Sequence, residues 1–207
     1  KENNQQLKLD SIGSGYAMIF TLLYSYYLAV QSGKKMILMI DEPELHMHPK
    51  LQDAFSKFLL ELSKDVQIFI TTHSPVLLKQ LMQNEKIKVM SLIRDTSISL
   101  SAPSEQKLSY LSANELNFIA FGYATEEYHN ELYEEIYLQN NGTGIKPFDI
   151  AYFQAVKHEP ADKPWRGTPN QVSIHTHIRN QIHHRGELGS ASNGDIESSI
   201  IFMRNCL

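Results

Sequence analysis

The chain has 207 residues, of which 42% are hydrophobic and 20% are charged, and its formal net charge at pH 7 is −4. This composition excludes a disordered chain, and the mild negative charge argues against a basic nucleic-acid surface over the whole molecule. The one cysteine, Cys206, excludes a disulfide framework and a thiolate zinc site and fits a reducing cytosol, so a cytoplasmic location is expected.

The first hundred residues alternate between predicted helices and strands. Residues 16–32 are apolar nearly all round and predict a buried helix that ends at Gly33; polar residues interrupt this stretch, and it is too short to span a membrane. Residues 36–40 form a continuous apolar run, typical of a strand buried on both faces. Helices are then predicted at residues 51–63 and 74–83, and strands at residues 66–70, 88–94 and 97–100. This rhythm is typical of an α/β fold with a largely parallel sheet.

The alternation stops near residue 102, and the rest of the chain is predicted to be mostly helical. Residues 113–138 are acidic and aromatic-rich with helical character, and a last helical block is predicted over residues 172–207. The segments 140–147 and 158–170 have the Gly, Pro and polar content of loops. The predicted architecture is therefore an α/β layer followed by a helical C-terminal extension.

The segment ILMIDEPELHMHP places an apolar strand directly before two adjacent carboxylates, Asp41 and Glu42. Because neighbouring carboxylates repel each other, a cation is expected beside them. An apolar strand ending in Asp-Glu is the Walker B pattern of nucleotide hydrolases, in which the aspartate holds Mg²⁺ and the glutamate polarises the attacking water. An acidic turn after a core strand is the structural alternative.

Two neighbouring segments favour the nucleotide hypothesis. The strand in QIFITTHSP carries His73 just past its end, and LDSIGSGYAMI is a small-residue turn that leads into the first helix. Backbone N–H groups in such a turn, with a helix N-terminus behind them, form an anion site. Three elements in this order are more specific than any one of them.

Together these segments resemble ATP-binding-cassette-type ATPases, in the SMC-like branch that includes ATPases of bacterial antiphage defence systems of the Septu- and retron-associated kind. The resemblance covers roughly residues 8–100: SIGSGYAMI resembles the signature motif, ILMIDEPELHMHP the Walker B segment, and ITTHSP the switch-histidine loop. It implies ATP and Mg²⁺ as cofactors. It also implies that Asp41 serves Mg²⁺, that Glu42 is the catalytic carboxylate and that His73 contacts the γ-phosphate.

The same resemblance assigns the signature turn to a nucleotide held mainly by a partner subunit. The residues concerned are Ser11, Gly13, Ser14 and Gly15, and the signature serine maps to either Ser11 or Ser14. Tyr16 stands where the motif normally carries Gln or Glu. A site shared in this way implies a homo-oligomer that is at least a dimer.

The phosphate-cradling G-x-x-x-x-G-K-[ST] loop does not occur in the sequence. Since the chain also starts with Lys1 rather than Met, we expect the N-terminal ATPase half, which carries the phosphate loop, to lie outside this chain and to act as its partner. We assign residues 1–102 to the C-terminal part of the ATPase domain. Residues 103–150 are predicted to be a helical connector, and residues 151–207 a helical C-terminal extension.

The histidines allow a second interpretation of the Walker B region. His46, His48 and His73 could form a binuclear metal site with Asp41, because an H-x-H spacing places two imidazoles on one strand face. The same residues also fit the turn that follows a Walker B strand. His129 is interpreted as a polar helix residue rather than a ligand.

The segment IHTHIRNQIHHR is unusually rich in histidine. Arg179 and His184 are separated by four residues and resemble the R-x(4–6)-H motif of HEPN ribonucleases, small helical domains that often work as dimers. The resemblance implies that the histidine acts as general acid or base on a ribose 2′-OH, and that the arginine stabilises the phosphorane without a metal. A solvated or partner-binding face is the structural alternative. A further alternative is a zinc site made by His175 and His177 with His183 or His184.

The sequence thus predicts a cytoplasmic, Mg²⁺-dependent ATPase subunit of a bacterial antiviral defence system that controls a nuclease activity. A nuclease partner and RNA or DNA are expected, and a membrane is not. One alternative is an ATPase scaffold that docks a separate nuclease or reverse-transcriptase partner and has no nuclease site of its own. The other is an SMC-like DNA-repair ATPase, although the chain contains no long heptad-bearing segment.

Overall fold

The computed structural model describes residues 13–84, 87–94 and 98–207. The chain divides into two compact units, residues 1–89 and residues 90–207. Helices and small sheets both occur, so the prediction of a mixed α/β fold is confirmed. The domain boundaries at residues 102 and 150 stay predictions.

The first unit alternates helices with one parallel pair of strands. Its elements are α1 (Ser14–Gln31), β1 (Ile37–Asp41), a 3-10 turn (Pro43–His46), α2 (Pro49–Leu62), β2 (Gln67–Thr71) and α3 (Pro75–Leu81). The strands pair in register from Ile37 opposite Gln67 to Asp41 opposite Thr71. These helices and strands lie where the sequence predicts them, with ends shifted by at most two residues. The prediction that α1 is buried is wrong for the described residues, since Tyr16, Phe20 and Tyr27 are 57%, 51% and 57% exposed.

Local sequence signals define the ends of these helices. Gly33 has a φ of +65°, which an L side chain rarely adopts, and it follows the last turn of α1. Pro75 occupies the first turn of α3, where its missing N–H costs nothing. The Ser74 hydroxyl accepts a hydrogen bond from the N–H of Leu77 and caps α3. Among the helices in the described ranges, none has both the length and the apolar content required to cross a membrane.

The core of the first unit lies on one face of the β1–β2 pair. Leu38 and Ile40 point into it, together with Phe55 and Leu59 of α2. The opposite face carries Ile37, Met39 and Phe69, which are 63%, 80% and 52% exposed. The prediction that β1 is buried on both faces is therefore wrong for the described residues. A run of apolar residues reports the hydrophobicity of both faces but not whether each face is covered.

The second unit consists of helices and two antiparallel hairpins. Its elements are β3 (Ser91–Arg94), β4 (Ile98–Ser101), α4 (Ala113–Phe121), α5 (Glu126–Gln139), α6 (Ile145–Phe148), a π-helical turn (Asp149–Gln154), β5 (Lys163–Trp165), β6 (Thr168–Val172), α7 (Ile174–His183), α8 (Arg185–Leu188) and α9 (Asn193–Arg204). β3 pairs with β4 and β5 with β6, both antiparallel. The expectation of a largely parallel sheet is therefore corrected: in the described residues, the parallel part consists of β1 and β2 alone.

The β5–β6 hairpin lies in a segment predicted to be a loop. Its two strands are joined by Arg166 and Gly167, whose φ angles of +46° and +82° match a two-residue hairpin turn with positive φ at both positions. Pro164 and Pro169 lie in the two strands and suggest loop rather than strand. The cross-strand pairing of these short strands outweighs the weak strand propensity of their residues.

Helix α5 forms the centre of the second unit and packs against α4, α7 and α9. Its fully buried side chains include Tyr128, Leu132, Tyr133 and Ile136. Their spacing of three and four residues defines one helical face, which explains why the helix is stable despite its many acidic residues.

A buried ion pair joins α4 to α9. Glu115 in α4 is fully buried and accepts a hydrogen bond from Nη1 of Arg204 in α9 at 3.2 Å. The same carboxylate accepts from the hydroxyl of Tyr128 at 3.1 Å and from the N–H of Lys107 at 2.6 Å. Because its partners replace much of the lost hydration, the buried charge is tolerated.

Candidate functional site

The predicted Walker B carboxylates lie at the carboxyl edge of the parallel strands. Asp41 ends β1, directly opposite Thr71, which ends β2. The Thr71 hydroxyl donates a hydrogen bond to Oδ1 of Asp41. The N–H of Glu42 donates to the carbonyl oxygen of Thr71 at 3.1 Å and lies 3.2 Å from its hydroxyl oxygen. These bonds join the two strand ends into one edge.

The backbone of Glu42 is held in an uncommon conformation. Its φ of 42° and ψ of 56° lie in the left-handed region, which costs energy for a residue with a side chain. The turn reverses the chain just after β1 and leaves the Glu42 side chain 36% exposed. Strained backbone of this kind often occurs at functional sites, since the surrounding contacts must maintain it.

The structure brings His73 to the same edge. Its Nε2 lies 3.4 Å from Oε1 of Glu42, and its side chain is 79% exposed. The sequence-predicted residues Asp41, Glu42 and His73 are therefore neighbours, although His73 follows a different strand. A carboxylate and an imidazole at this distance can act on the same ligand, and both remain accessible to it.

Glu44, which the sequence prediction did not include, also belongs to this edge. Its Oε1 accepts a hydrogen bond from the backbone N–H of His73 at 2.5 Å. Its Oε2 is buried, and no hydrogen-bond partner for this atom is found within the described residues. The signal was present in the sequence as a second acidic residue on the same turn as Glu42, but only the tertiary structure shows that it contacts the loop after β2.

The donor set at this edge is compatible with Mg²⁺. Magnesium is usually bound through one or two carboxylates and keeps several waters, so the exposed carboxylate of Asp41 is sufficient as a protein ligand. A cage of side chains is not formed: in the part of the chain that the structure describes, no three His, Cys, Asp or Glu residues come together to hold a metal ion.

The histidines after Glu42 have separate positions. The Nδ1 of His48 accepts a hydrogen bond from the N–H of Leu51 at 3.3 Å and caps α2. His46 is exposed in the 3-10 turn. The capping role of His48 supports the interpretation of this segment as a turn rather than as part of a binuclear metal site.

The predicted signature turn lies partly outside the described residues. Ser11 belongs to the part that the structure does not describe. Gly13 precedes α1 and Ser14 begins it. Gly15 is buried, and a Cβ atom at this position would lie 2.4 Å from the carbonyl oxygen of His46. The N-terminus of α1 is thus seated on the turn that follows Glu42, and this close approach requires a glycine.

Arg179 and His184, the two residues that resemble the R-x(4–6)-H motif, lie on α7 and just after it. Arg179 is half-buried and lines a cleft of about 280 Å³ with Tyr133, Tyr137 and Ile145. His184 follows the end of the helix and is exposed. Arg179 thus lies in a cleft, and His184 lies at the C-terminal end of α7.

His183, one residue before the predicted histidine, has the more defined environment. Its Nε2 lies 2.8 Å from Oδ1 of Asn130, and the Asn130 amide donates to Glu134 at 3.1 Å. Partial burial lowers the pKa of His183, and the nearby charge of Arg179 lowers it further. The structure therefore associates Arg179 with His183, four residues later on the same helix, and shows no contact of Arg179 with His184 within the described residues.

His175 and His129 lie in the core rather than at a surface site. Nδ1 of His175 lies 2.7 Å from the hydroxyl of Ser199, and Nε2 of His129 lies 2.9 Å from the same oxygen. On the other side, Nε2 of His175 lies 3.3 Å from a carboxylate oxygen of Glu159. Both rings are buried to 2% exposure or less, so His129 is a core residue with a hydrogen-bond partner on another helix.

Residues 1–78 match the family model of the AAA ATPase domain. The matched stretch contains the predicted signature turn, Asp41, Glu42 and His73, and it covers less than half of the 207 residues. This similarity supports the prediction of an ATPase-type domain in the first part of the chain.

Three curated relatives are similar in sequence to between 36% and 77% of this chain. Endonuclease GajA of Bacillus cereus is 35% identical over 75 residues, which cover 36% of this chain and 13% of that protein. Septu protein PtuA of Bacillus mycoides is 25% identical over 141 residues, or 65% of this chain and 20% of that protein. OLD nuclease of Thermus scotoductus is 27% identical over 166 residues, or 77% of this chain and 30% of that protein. The chain thus spans less than a third of the length of each of these relatives.

Proposed function

We propose that the first unit supplies the Walker B and switch-histidine part of an ATPase site. The observation that supports this function is the meeting of Asp41, Glu42 and His73 at one edge of two parallel strands, inside the stretch similar to the AAA ATPase domain. Asp41 would hold Mg²⁺, which when bound neutralises charge on the phosphates of ATP.

Glu42 and His73 have the chemistry that hydrolysis requires. The Glu42 carboxylate accepts a proton from water as the water oxygen attacks the γ-phosphorus, while the bond from that phosphorus to the β–γ bridging oxygen breaks and releases ADP. His73 lies beside Glu42 and can donate a hydrogen bond to an oxygen of the transferred phosphoryl group. Their exposure leaves room for the nucleotide on the open side of the strand edge.

The partner that we propose for this unit is a polypeptide segment that carries the phosphate loop. A parallel sheet normally has both faces covered, and a pair of strands alone is marginally stable. The uncovered face of Ile37, Met39 and Phe69 is apolar and suited to packing against further strands or helices of an ATPase domain. The sequence itself supplies no G-x-x-x-x-G-K-[ST] loop.

We also propose that two ATPase subunits share their nucleotides. Gly13 and Ser14, with Ser11 as the alternative serine, would contact ATP held by the other subunit through the start of α1, where backbone N–H groups attract phosphate. Gly15 would serve this site indirectly, because its contact with His46 fixes α1 against the Walker B turn. ATP binding would then close a dimer and hydrolysis would reopen it.

The output that we propose is control of a nuclease in the cytoplasm of a bacterium that resists viruses. GajA is named an endonuclease and the Thermus relative a nuclease, and the similarity to PtuA and the Thermus relative extends over more than half of this chain. RNA or DNA would be the target of the controlled enzyme. A docking surface for a separate nuclease or reverse transcriptase is the rival output, and SMC-like DNA repair is the rival role of the ATPase.

A second candidate activity is ribonuclease chemistry in the second unit. Arg179 in its cleft could stabilise the negative charge of a phosphorane, and His184 or His183 could take the proton of a ribose 2′-OH. The specific observation in its favour is the orientation of His183 by Asn130 beside the arginine.

The substitution Glu42→Gln tests the proposed ATPase site. In the complete protein, with its phosphate-loop half, we expect ATP binding to persist while turnover falls by about 10²-fold or more, because the amide cannot accept the proton of the attacking water. Binding is measured with labelled ATP and turnover by phosphate release. The control is Glu61→Gln, since Glu61 is exposed on α2 and pairs with Lys64. Unchanged turnover in Glu42→Gln would remove Glu42 from the mechanism.

A further inference from the structure

The loop that carries His73 is fixed at both of its ends by side chains. At one end, Thr71 contacts Asp41 through its hydroxyl. At the other end, the hydroxyl of Ser74 donates to Oε1 of Gln52 at 2.6 Å, and Nε2 of Gln52 donates to the carbonyl of Met47 at 3.0 Å. Ser74 and Gln52 are both buried, so this end of the loop does not depend on solvent-exposed contacts.

Glu44 holds the loop between these two points. Its Oε1 accepts from the backbone N–H of His73 at 2.5 Å, and this bond joins the loop after β2 to the turn after β1. A carboxylate that accepts from an N–H forms a charge-assisted hydrogen bond, which is stronger than a neutral one. Since Glu44 lies two residues after Glu42 on the same turn, a shift of the turn is transmitted to His73 and to Glu42 together.

From these contacts we infer that Glu44 is a positioning residue for hydrolysis: it fixes the backbone of His73 so that the imidazole faces Glu42. Nε2 of His73 lies 3.4 Å from Oε1 of Glu42, so a shift of the His73 backbone changes this approach. This inference rests on the proposed roles of Glu42 and His73. It assigns Glu44 no contact with the nucleotide.

The first test is the turnover of Glu44 variants in the complete protein. Glu44→Ala removes the acceptor and is expected to lower kcat by about 10- to 100-fold with the KM for ATP within about 2-fold, because misplacement of a catalytic group impairs the chemical step rather than binding. Glu44→Gln retains an oxygen acceptor and is expected to keep kcat within about 3-fold of the wild-type value. Glu61→Ala is the matched control, an exposed glutamate of the same unit whose loss is expected to leave kcat unchanged.

A double-mutant cycle separates positioning from a general structural role. If Glu44 acts through the imidazole, then adding Glu44→Ala to His73→Ala lowers kcat by less than about 2-fold more. An equal loss in both backgrounds would show that Glu44 acts independently of His73 and would overturn the inference. If instead Glu42→Gln and His73→Ala themselves leave hydrolysis unchanged, the proposed ATPase site fails, which is a different result.

Amide hydrogen exchange provides a readout that does not depend on activity. The N–H of His73 is expected to exchange more slowly in the wild type and in Glu44→Gln than in Glu44→Ala, by about 10-fold or more, because the bond to Oε1 must open before exchange. The N–H of Leu77, which donates to the Ser74 hydroxyl, should keep its rate and show that the loop end is intact. Equal exchange of the His73 N–H in all three proteins would overturn the inference.

Discussion

His129 and His175 both contact the hydroxyl group of Ser199 in the core of the second unit. This arrangement favours one choice of which ring nitrogen carries the proton in each histidine. If Nε2 of His129 donates to Ser199, then Ser199 donates to Nδ1 of His175, and the proton of His175 is on Nε2, which lies 3.3 Å from a carboxylate oxygen of Glu159. The reverse pattern would leave the Nδ1–H of His129 buried, and no partner for that atom is found within the described residues. Both rings are neutral in this pattern and are joined by hydrogen bonds through Ser199, whereas Nε2 of His175 lies 3.3 Å from Glu159 and has no hydrogen-bond partner within the described residues.

This pair predicts a loss of stability in acid. Burial, and secondarily the charge of His175, lowers the pKa of His129 to about 3, and burial lowers that of His175 to about 4 against an opposing effect of Asp149. In the unfolded chain both groups titrate near pH 6.5, at about the reference value, so the unfolded state binds more protons below that pH. We expect the free energy of unfolding of the second unit to fall by up to about 1.4 kcal/mol per pH unit per histidine between pH 6.5 and 4.

Urea denaturation at a series of pH values measures this slope. His129→Gln removes one of the two buried titratable groups. It should therefore reduce the slope of the unfolding free energy against pH by about 1.4 kcal/mol per pH unit, the contribution of one proton. His158→Gln is the control, since His158 is exposed in the same unit, and its slope should equal that of the wild type. A flat stability profile between pH 6.5 and 5 in the wild type would contradict the prediction.

At the scale of elements, the first helix and the turn that follows Glu42 meet through a close approach of their backbones. Gly15 in α1 lies against the carbonyl oxygen of His46 in the 3-10 turn, and Leu51 of α2 lies close to the same point. Two residues earlier, apart from the chain neighbours of Gly13, no atom of the described residues lies within 4 Å of the position that a Cβ of Gly13 would occupy. Glycines so close in sequence are thus expected to respond differently to substitution.

The pair Gly15→Ala and Gly13→Ser tests this contact. We expect Gly15→Ala to lower the free energy of unfolding of the first unit by about 1–3 kcal/mol, because the added methyl group forces the helix and the turn apart. Gly13→Ser should leave stability within about 0.5 kcal/mol or raise it slightly, because serine is a favourable residue before a helix. Thermal or chemical denaturation gives both values. Equal losses in the two variants would mean that the approach of α1 to the turn does not limit stability.

At the scale of the whole molecule, the two candidate chemistries lie in separate compact units. The proposed ATPase residues Asp41, Glu42 and His73 belong to residues 1–89, and the proposed ribonuclease residues Arg179, His183 and His184 belong to residues 90–207. Substitutions in one unit that spare its fold should therefore leave the chemistry of the other unit intact once control between them is bypassed.

This separation predicts the behaviour of the proposed ribonuclease. Cleavage through the 2′-OH needs no metal, so it should persist in EDTA once the ATPase step is bypassed, leave cyclic-phosphate ends and spare DNA. Arg179→Ala or His184→Ala should abolish cleavage while ATP hydrolysis stays intact. His183→Ala, measured in parallel, tells whether the histidine held by Asn130 is the proton acceptor instead.

Electrophoresis of labelled RNA and DNA measures these outcomes. Gln139→Ala, on the exposed end of α5, is a control expected to cleave like the wild type. Full activity in a variant that lacks Arg179 and both histidines would exclude this site and would favour the docking hypothesis, with the nuclease in another chain.

The sequence by itself determined the order of elements in the first unit and the positions of its two paired strands to within one residue. The apolar runs and the polar residues that follow residues 40 and 70 are local properties, so the amino-acid pattern alone indicates Asp41, Glu42 and His73 as a candidate site. Parallel pairing then brings the two strand ends together, because both strands run in the same direction to one edge.

Tertiary structure alone decided three features: the role of Glu44, the β5–β6 hairpin and the burial of His129. Each depends on a contact with a residue far along the chain or across a hairpin: His73, the paired strand, and Ser199. Local propensity carries no information about such partners, and for Pro164 and Pro169 it indicated a loop. Burial on both faces of β1 was overestimated for the same reason, since covering a face requires another element whose position the hydrophobic pattern does not specify.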